Sequence, residues 1–280
     1  MSAYDPPPGA LRDLVATALA EDFGLLGDIT SIACIADDVF GEATFVARQE
    51  GVLAGTAAAA EVYRQVDPTT SLAWRSYDGD ALAPGDVIGT VAGGMQSILG
   101  GERVALNFLQ HCSGVASLTR RYVRAARGSA RILDTRKTLP GLRAVQKAAV
   151  RAGGGFNHRD SLSAAVLIKD NHLAALGITK SVERARARWP GRIIEVECDT
   201  LEQVTEARDA RPDVVLVDNM TPEQVKEAVA ILGGIAAVEV SGGVTLDSVG
   251  AYSESGADFI SAGALTHSAR ALDIALDVVM

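Results

Sequence analysis

Cysteine is scarce: Cys34, Cys112 and Cys198 are odd in number, far apart and form no CxxC pair. That excludes a disulfide framework and a cysteine zinc site, and fits reduced thiols in the cytoplasm. Aromatic residues make up only 5% of the 280-residue chain. No run of about 18 apolar residues occurs, so a membrane span is excluded. The opening MSAYDPPPGA lacks the basic start and apolar stretch of a signal peptide. Positive charge is also in deficit, with 26 basic against 35 acidic side chains and a net charge of −9. Phosphates of nucleic acid or of an anionic membrane would repel such a chain, so neither is an expected partner. What remains is a cytoplasmic globular protein, long enough to bury a large core.

The few cations are concentrated. Between residues 131 and 172 stand Arg131, Arg136, Lys137, Arg143, Lys147, Arg151, Arg159 and Lys169, against Asp134, Asp160 and Asp170. The stretch carries +5 and leaves −14 for the rest of the chain. Three of only five lysines fall here, with His158 and His172, two of the four histidines. Arg and Lys together suit phosphate and carboxylate, so the stretch reads as a pocket for a ligand with several negative charges. The plain alternative is a solvated helix face.

A repeated unit supplies the walls. The second half alternates short β-branched runs, glycine or polar turns, and Ala-rich helical stretches. Strands are predicted at 131–135, 165–170, 193–198, 214–219, 236–241 and 258–263, with helices at 201–210, 222–232 and 246–255. Such alternation predicts a parallel sheet covered on both faces. Six units fall short of an eightfold barrel, which takes about 250 residues. A shortened, barrel-like closure is expected, with an open doubly wound sheet as the second reading. The first hundred residues differ: a helix at 11–21, then short extended pieces at 41–47, 52–55, 71–77 and 86–93, broken by DGDALAPGD. They predict a separate α+β domain, closed by a long amphipathic helix from about residue 97 to 127, with Gly114 as its kink or boundary.

Parallel α/β folds gather their sites at strand C-termini. Arg136 and Lys137 follow the first predicted strand, and Lys169 ends the second. Glu197 and Asp218 end the third and fourth, while Ser241-Gly242-Gly243 and Ala262-Gly263 follow the last two. Cations, carboxylates and glycine turns therefore succeed one another around one ring. Glycine turns before a helix let backbone N–H groups approach a phosphate. Glu197 and Asp218 suit Mg²⁺ beside a pyrophosphate, or a cation that develops during reaction; the plain reading is a pair of helix caps. Glu195 and Glu239 share that ambiguity with weaker claims. GGGFNHR (153–159) reads as a mobile, cationic loop. His172 suits a helix cap or a ligand, His111 is expected to be packed, and His267 is placed for a supporting phosphate contact. No Ser-His-Asp or Cys-His set is evident, and Lys169 is the one residue placed for a Schiff base. A lyase built on Lys169 and a non-catalytic sensor of an acidic metabolite stay open as rival readings.

The strings ERVALNFLQHCSGVAS (102–117), DTRKTLPGLR (134–143), QKAAVRAGGGFNHR (146–159) and LIKDNH (167–172) resemble the quinolinate phosphoribosyltransferase family. So do EVEC (195–198), VDNM (217–220), VEVSGG (238–243) and GALTHS (263–268), in the family's order. The likeness runs from EDFGLLGDITS (21–31) to the C-terminus, and Gly100-Gly101 departs from the small polar pair expected before Glu102.

That resemblance implies an α/β fold: an N-terminal α/β sandwich domain (1–113, joined by the tail 271–280) and a six-unit incomplete α/β barrel (114–270). It implies transfer of the phosphoribosyl group of phosphoribosyl pyrophosphate to quinolinate with decarboxylation, in de novo NAD biosynthesis. Quinolinate would be held by Arg136, His158, Arg159 and Lys169, with Arg103 donated across a homodimer interface. Lys137, Glu197 and Asp218 would be catalytic, the two acids also holding Mg²⁺, directly or through water. Ser241, Gly242, Gly243, Gly263 and His267 would hold the 5′-phosphate.

Overall fold

A computed structural model describes residues 4–279. The chain begins with α1 (Pro8–Phe23) and α2 (Ile29–Cys34), then β1 (Phe40–Ala47), β2 (Gly51–Val52) and α3 (Thr56–Val66). Strands β3 (Ser71–Trp74), β4 (Ala81–Leu82) and β5 (Val87–Gly94) lead into the 31-residue helix α4 (Met95–Ala125). Next come β6 (Arg131–Leu133), α5 (Arg143–Ala152), β7 (Val166–Ile168), α6 (Asp170–Leu176) and α7 (Ile178–Arg188). The alternation continues with β8 (Ile194–Cys198), α8 (Leu201–Ala210), β9 (Val214–Asp218), α9 (Pro222–Leu232) and β10 (Ala237–Ser241). It ends with α10 (Val249–Glu254), β11 (Phe259–Ser261), α11 (Ala264–His267) and β12 (Ile274–Val279).

The chain divides into two compact units. One gathers the residues up to 120, the stretch 138–154 and the residues from 265 onward; the other comprises 121–137 and 155–264. Helix α4 runs through residue 113, and its residues up to 120 group with the first unit. Gly114 lies within α4. A Cβ there would lie 2.0 Å from the carbonyl oxygen of Arg270, so glycine lets the C-terminal segment cross the helix closely. Gly101 also lies within α4, which begins at Met95, and a Cβ at 101 would fall 2.8 Å from the Tyr63 ring. Arg103 is therefore carried in the body of the helix.

In the first unit an antiparallel sheet of order β12-β1-β5-β3 forms the core. Phe45 stacks on Trp74 at 5.5 Å and meets Tyr63 edge-on at 6.3 Å, both favoured aromatic arrangements.

The second unit is a six-stranded parallel sheet of order β6-β11-β10-β9-β8-β7. Its β-branched strands are buried on both faces, as the near-continuous apolar runs predict. Helices α8 and α9 keep their predicted bounds because each begins with a Thr-x-x-Gln capping box, Thr200 with Gln203 and Thr221 with Gln224. Helix α10 is shorter than predicted, since Thr245 and Ser248 bond each other's backbone and make a turn there instead. The first and last-placed strands, β6 and β7, are the sheet's two edges, which makes the barrel incomplete. Residues just after α5 partly fill the gap: Phe156 N–H donates to Ile132 O (2.8 Å), and Asp134 N–H donates to Phe156 O (3.1 Å).

Candidate active site

Strand alternation builds the site. Side chains two residues apart on a strand share a face, and on the inner face the register of the sheet aligns Leu167 with Glu195, Glu197 with Leu216, and Asp218 with Ser241. Lys169, Glu197, Asp218, Ser241 and Ser261 thus stand at or just past the strands' C-terminal ends. Leu167, Glu195, Leu216 and Glu239 lie two residues deeper. A cavity of about 240 Å³ opens on this face. Leu167 and Leu216 give it an apolar floor, while Lys169, Glu197, Asp218, Ser241 and Ser261 give it a polar rim.

Cations reach the cavity from the two segments flanking the free edge of β6. Thr135, Arg136 and Lys137 follow β6, and His158 and Arg159 follow Phe156; all five line the cavity. Asp134, completely buried, ties the segments together. Its Oδ2 accepts from Asn157 Nδ2 (2.6 Å) and its Oδ1 from the backbone N–H of His158 (2.9 Å). The GGGFNHR segment, read from its glycines as a loop, is thus bonded to the residues that follow β6. Arg159 Nη1 donates to Ala165 O (2.9 Å). Burial, and then the Arg136 guanidinium beside it, lower the Arg159 pKa.

The carboxylate side is held differently. Lys169 Nζ forms an ion pair with Glu197 Oε2. Asp218 Oδ2 accepts from Asn219 Nδ2 (2.7 Å), and Asn219 N–H donates to Ser241 O (3.0 Å). Asn219 takes the left-handed conformation (φ 55°), a cost borne most easily by Asn. The turn after Ser241 packs against it: a Cβ on Gly242 (φ 84°) would sit 2.3 Å from Asn219 Oδ1. His172 is a cap, its Nδ1 accepting from Lys169 N–H (3.0 Å) at the start of α6.

Of the sequence-predicted residues, Arg136, Lys137, His158, Arg159, Lys169, Glu197, Asp218 and Ser241 line one cavity. Gly242 and Gly243 form the turn that follows it, and Gly263 follows β11. Arg103, exposed on α4, and the exposed His267 belong to the first compact unit. So do Arg143, Lys147 and Arg151 on α5, which leaves fewer of the clustered cations to the cavity than the raw count predicts. His111 is packed: it bonds Gln146 Nε2 at 2.9 Å, and burial lowers its pKa. Sequence reasoning underrated Glu195 and Glu239. Both are buried, and their Oε2 atoms lie 3.0 and 3.5 Å from His158 Nε2. The period-two pairs Glu195/Glu197 and Glu239/Ser241 were the available signal, since each puts both side chains on one face.

Such a cavity can bind a polyanion at its cationic side and stabilise a developing positive charge at its acidic side. Family models match both parts of the chain: the quinolinate phosphoribosyl transferase N-terminal domain over residues 28–113 and its C-terminal domain over 115–277. The chain belongs to the quinolinate phosphoribosyltransferase family. It is 42% identical to the chloroplastic nicotinate-nucleotide pyrophosphorylase (carboxylating) of Arabidopsis thaliana, covering 97% of this chain and 84% of that protein. It is also 42% identical to the probable nicotinate-nucleotide pyrophosphorylase (carboxylating) of Bacillus subtilis, over 96% of this chain and 94% of the relative. The nicotinate-nucleotide pyrophosphorylase structure from Francisella tularensis superposes with a TM-score of 0.93 at 38% identity, covering 100% of this chain and 99% of that one. The N-terminal α/β domain and incomplete six-unit barrel expected from the sequence are the fold of this family member.

Proposed function

We propose that the chain transfers the phosphoribosyl group of phosphoribosyl pyrophosphate to quinolinate with loss of CO₂, giving nicotinate mononucleotide and pyrophosphate for NAD biosynthesis. The observation that carries this reading is one cavity with cations on one side and carboxylates on the other, in a member of this family. Quinolinate has two carboxylates, which an arc of Arg136, His158, Arg159 and Lys169 suits. Its ring nitrogen bonds to the anomeric carbon as the bond from that carbon to pyrophosphate breaks. Positive charge develops on the ribose in between, and Glu197 and Asp218 face it with negative charge. The pyridinium nitrogen then withdraws the electron pair left at the adjacent carbon when CO₂ departs, and that carbon takes up a proton. Positioning and electrostatics carry most of the work, with Lys137 at the mouth beside the departing charge.

Ser241 and the Gly242-Gly243 turn, with Gly263 and His267, are proposed to take the 5′-phosphate. Glu197 and Asp218 offer the oxygen ligands that Mg²⁺ prefers; because Lys169 already holds Glu197 Oε2, a water-mediated contact fits that residue best. Bound there, Mg²⁺ would neutralise the pyrophosphate leaving group. A homodimer with Arg103 donated to the partner's pocket belongs to the same proposal. Its support is the exposure of Arg103 and of several apolar side chains, Leu25, Leu26, Ile29, Ile32 and Phe40, in the same compact unit. A cytoplasmic location is supported by three free cysteines, two of them buried.

One assay tests the reaction: quinolinate, phosphoribosyl pyrophosphate and Mg²⁺ together, following CO₂ and nicotinate mononucleotide. Stoichiometric appearance of both is expected. Product formed with nicotinate in place of quinolinate, and none with quinolinate, would replace the acceptor.

A further inference from the structure

Two buried carboxyl groups have no part in the mechanism above. Glu195 on β8 and Glu239 on β10 are 3% and 2% exposed. Each turns Oε2 toward His158 Nε2, and Oε1 of each meets no hydrogen-bond partner among the described residues. His158 is the one basic side chain within 4.0 Å of either among those residues. Taking an ionised carboxylate out of water costs several kcal/mol, and two side by side cost more. Leu167 and Leu216 show that apolar side chains serve at equivalent depth, so packing alone does not call for acids here.

Other groups face the pair as well. Both oxygens of Asp134 accept from the 157–158 segment. Ser261 approaches Glu239 from β11, and the charges of Asp134 and Arg159 act on Glu239 and Glu195 respectively. Nε2 of His158 faces a carboxyl oxygen on each of two sides. An imidazolium between one carboxylate and one protonated carboxyl leaves this buried group with no net charge.

We propose that Glu195 and Glu239 are positioning residues that act through His158, holding its imidazole as a cation with Nε2 turned into the sheet so that it forms a fixed positive contact for a substrate carboxylate. Burial, then the charge of Glu195, push the Glu239 carboxyl up to about 8, so Glu239 is the member that keeps the proton near neutrality. Its ionisation on the alkaline side adds a negative charge behind the ring and cancels the contact's attraction. The identity of the substrate rests on the function proposed above; the state of the ring does not.

Two readouts separate these. In ¹⁵N-histidine spectra of the substrate-free protein, which has only four histidines, His158 (assigned with His158→Asn) should be an imidazolium at neutral pH. In the double variant Glu195→Gln/Glu239→Gln, which leaves no carboxylate against Nε2, it should be neutral there. The KM for quinolinate should rise about tenfold in that variant, as for one lost charge-assisted contact, with kcat and the KM for phosphoribosyl pyrophosphate unchanged. Glu239→Gln, which keeps shape and hydrogen bonding, should retain a low KM and lose the alkaline rise in KM that the parent shows. A neutral His158 in the parent would overturn the proposal, as would an alkaline limb that survives in Glu239→Gln. A stoichiometric divalent metal in the parent, absent from Glu195→Gln, would also overturn it, because the three ligand atoms lie within 4.8 Å of one another. Should the double variant fail to fold, the parent spectrum and Glu239→Gln decide. Should quinolinate fail as substrate, the spectra still judge the ring.

Discussion

The two sides of the cavity are fixed by different means. Glu197, Asp218 and Ser241 are strand residues, held by ladders that pair β8 with β9 and β9 with β10 over four and five positions. Arg136, Lys137, His158 and Arg159 stand on connecting segments, held through Asp134 and through Phe156 on the edge of β6. A strand-borne side chain loses its place only when the sheet does. A segment-borne one depends on a few bonds, so the cationic side is expected to fail as a unit while the acidic side yields one residue at a time.

The sharpest way to break that contrast is Asp134→Ala. It removes a fully buried carboxylate that accepts from Asn157 Nδ2 and from the backbone N–H of His158, and should cost about 2–4 kcal/mol in urea unfolding. The KM for quinolinate should rise more than in any single cation variant, because His158 and Arg159 move together. Next in size is Arg136→Ala, which removes one cation and leaves its scaffold. A charge-assisted contact is worth roughly 1.5–3 kcal/mol, so the KM for quinolinate should rise at least tenfold, with unfolding and the KM for phosphoribosyl pyrophosphate unchanged. An unchanged quinolinate KM removes Arg136 from the pocket. Gly242→Ala probes the acidic side where it departs from the ladder. A side chain at φ 84° set against Asn219 should cost about 1–3 kcal/mol of local strain. The burden should fall on phosphoribosyl pyrophosphate, its KM rising while that for quinolinate holds.

The same contrast governs what the sequence reveals. Strand-borne residues were legible because β-branched runs and the turns after them fix where each strand ends, and a strand end fixes where Lys169, Glu197, Asp218 and Ser241 stand. Even so, Glu195 and Glu239 were undervalued: position along a strand shows which face a side chain takes, and only the folded sheet shows that His158 lies between the two acids. The segment-borne side was legible in composition and not in conformation. Three consecutive glycines at 153–155 predict mobility, and nothing local indicates that a buried Asp134 some twenty residues earlier bonds the following Asn and His. The roles of Gly114 and Gly101 are hidden for the same reason, since each is small to admit a distant group, the Arg270 carbonyl or the Tyr63 ring.

The smallest expected effect tests the contrast from the strand side. His172 caps the exposed start of α6 by accepting from the backbone N–H of Lys169, and His172→Ala should cost about 0.5–1 kcal/mol, as lost caps do. Lys169 itself is set by the strand before it, where Ile168 pairs with Val196, and by its ion pair with Glu197. Catalysis should therefore stay within about twofold of the parent, an energy below that of one net hydrogen bond. If kcat/KM instead falls tenfold while urea unfolding shifts only slightly, the cap and not the ladder aims Lys169, and that residue belongs with the segment-borne side.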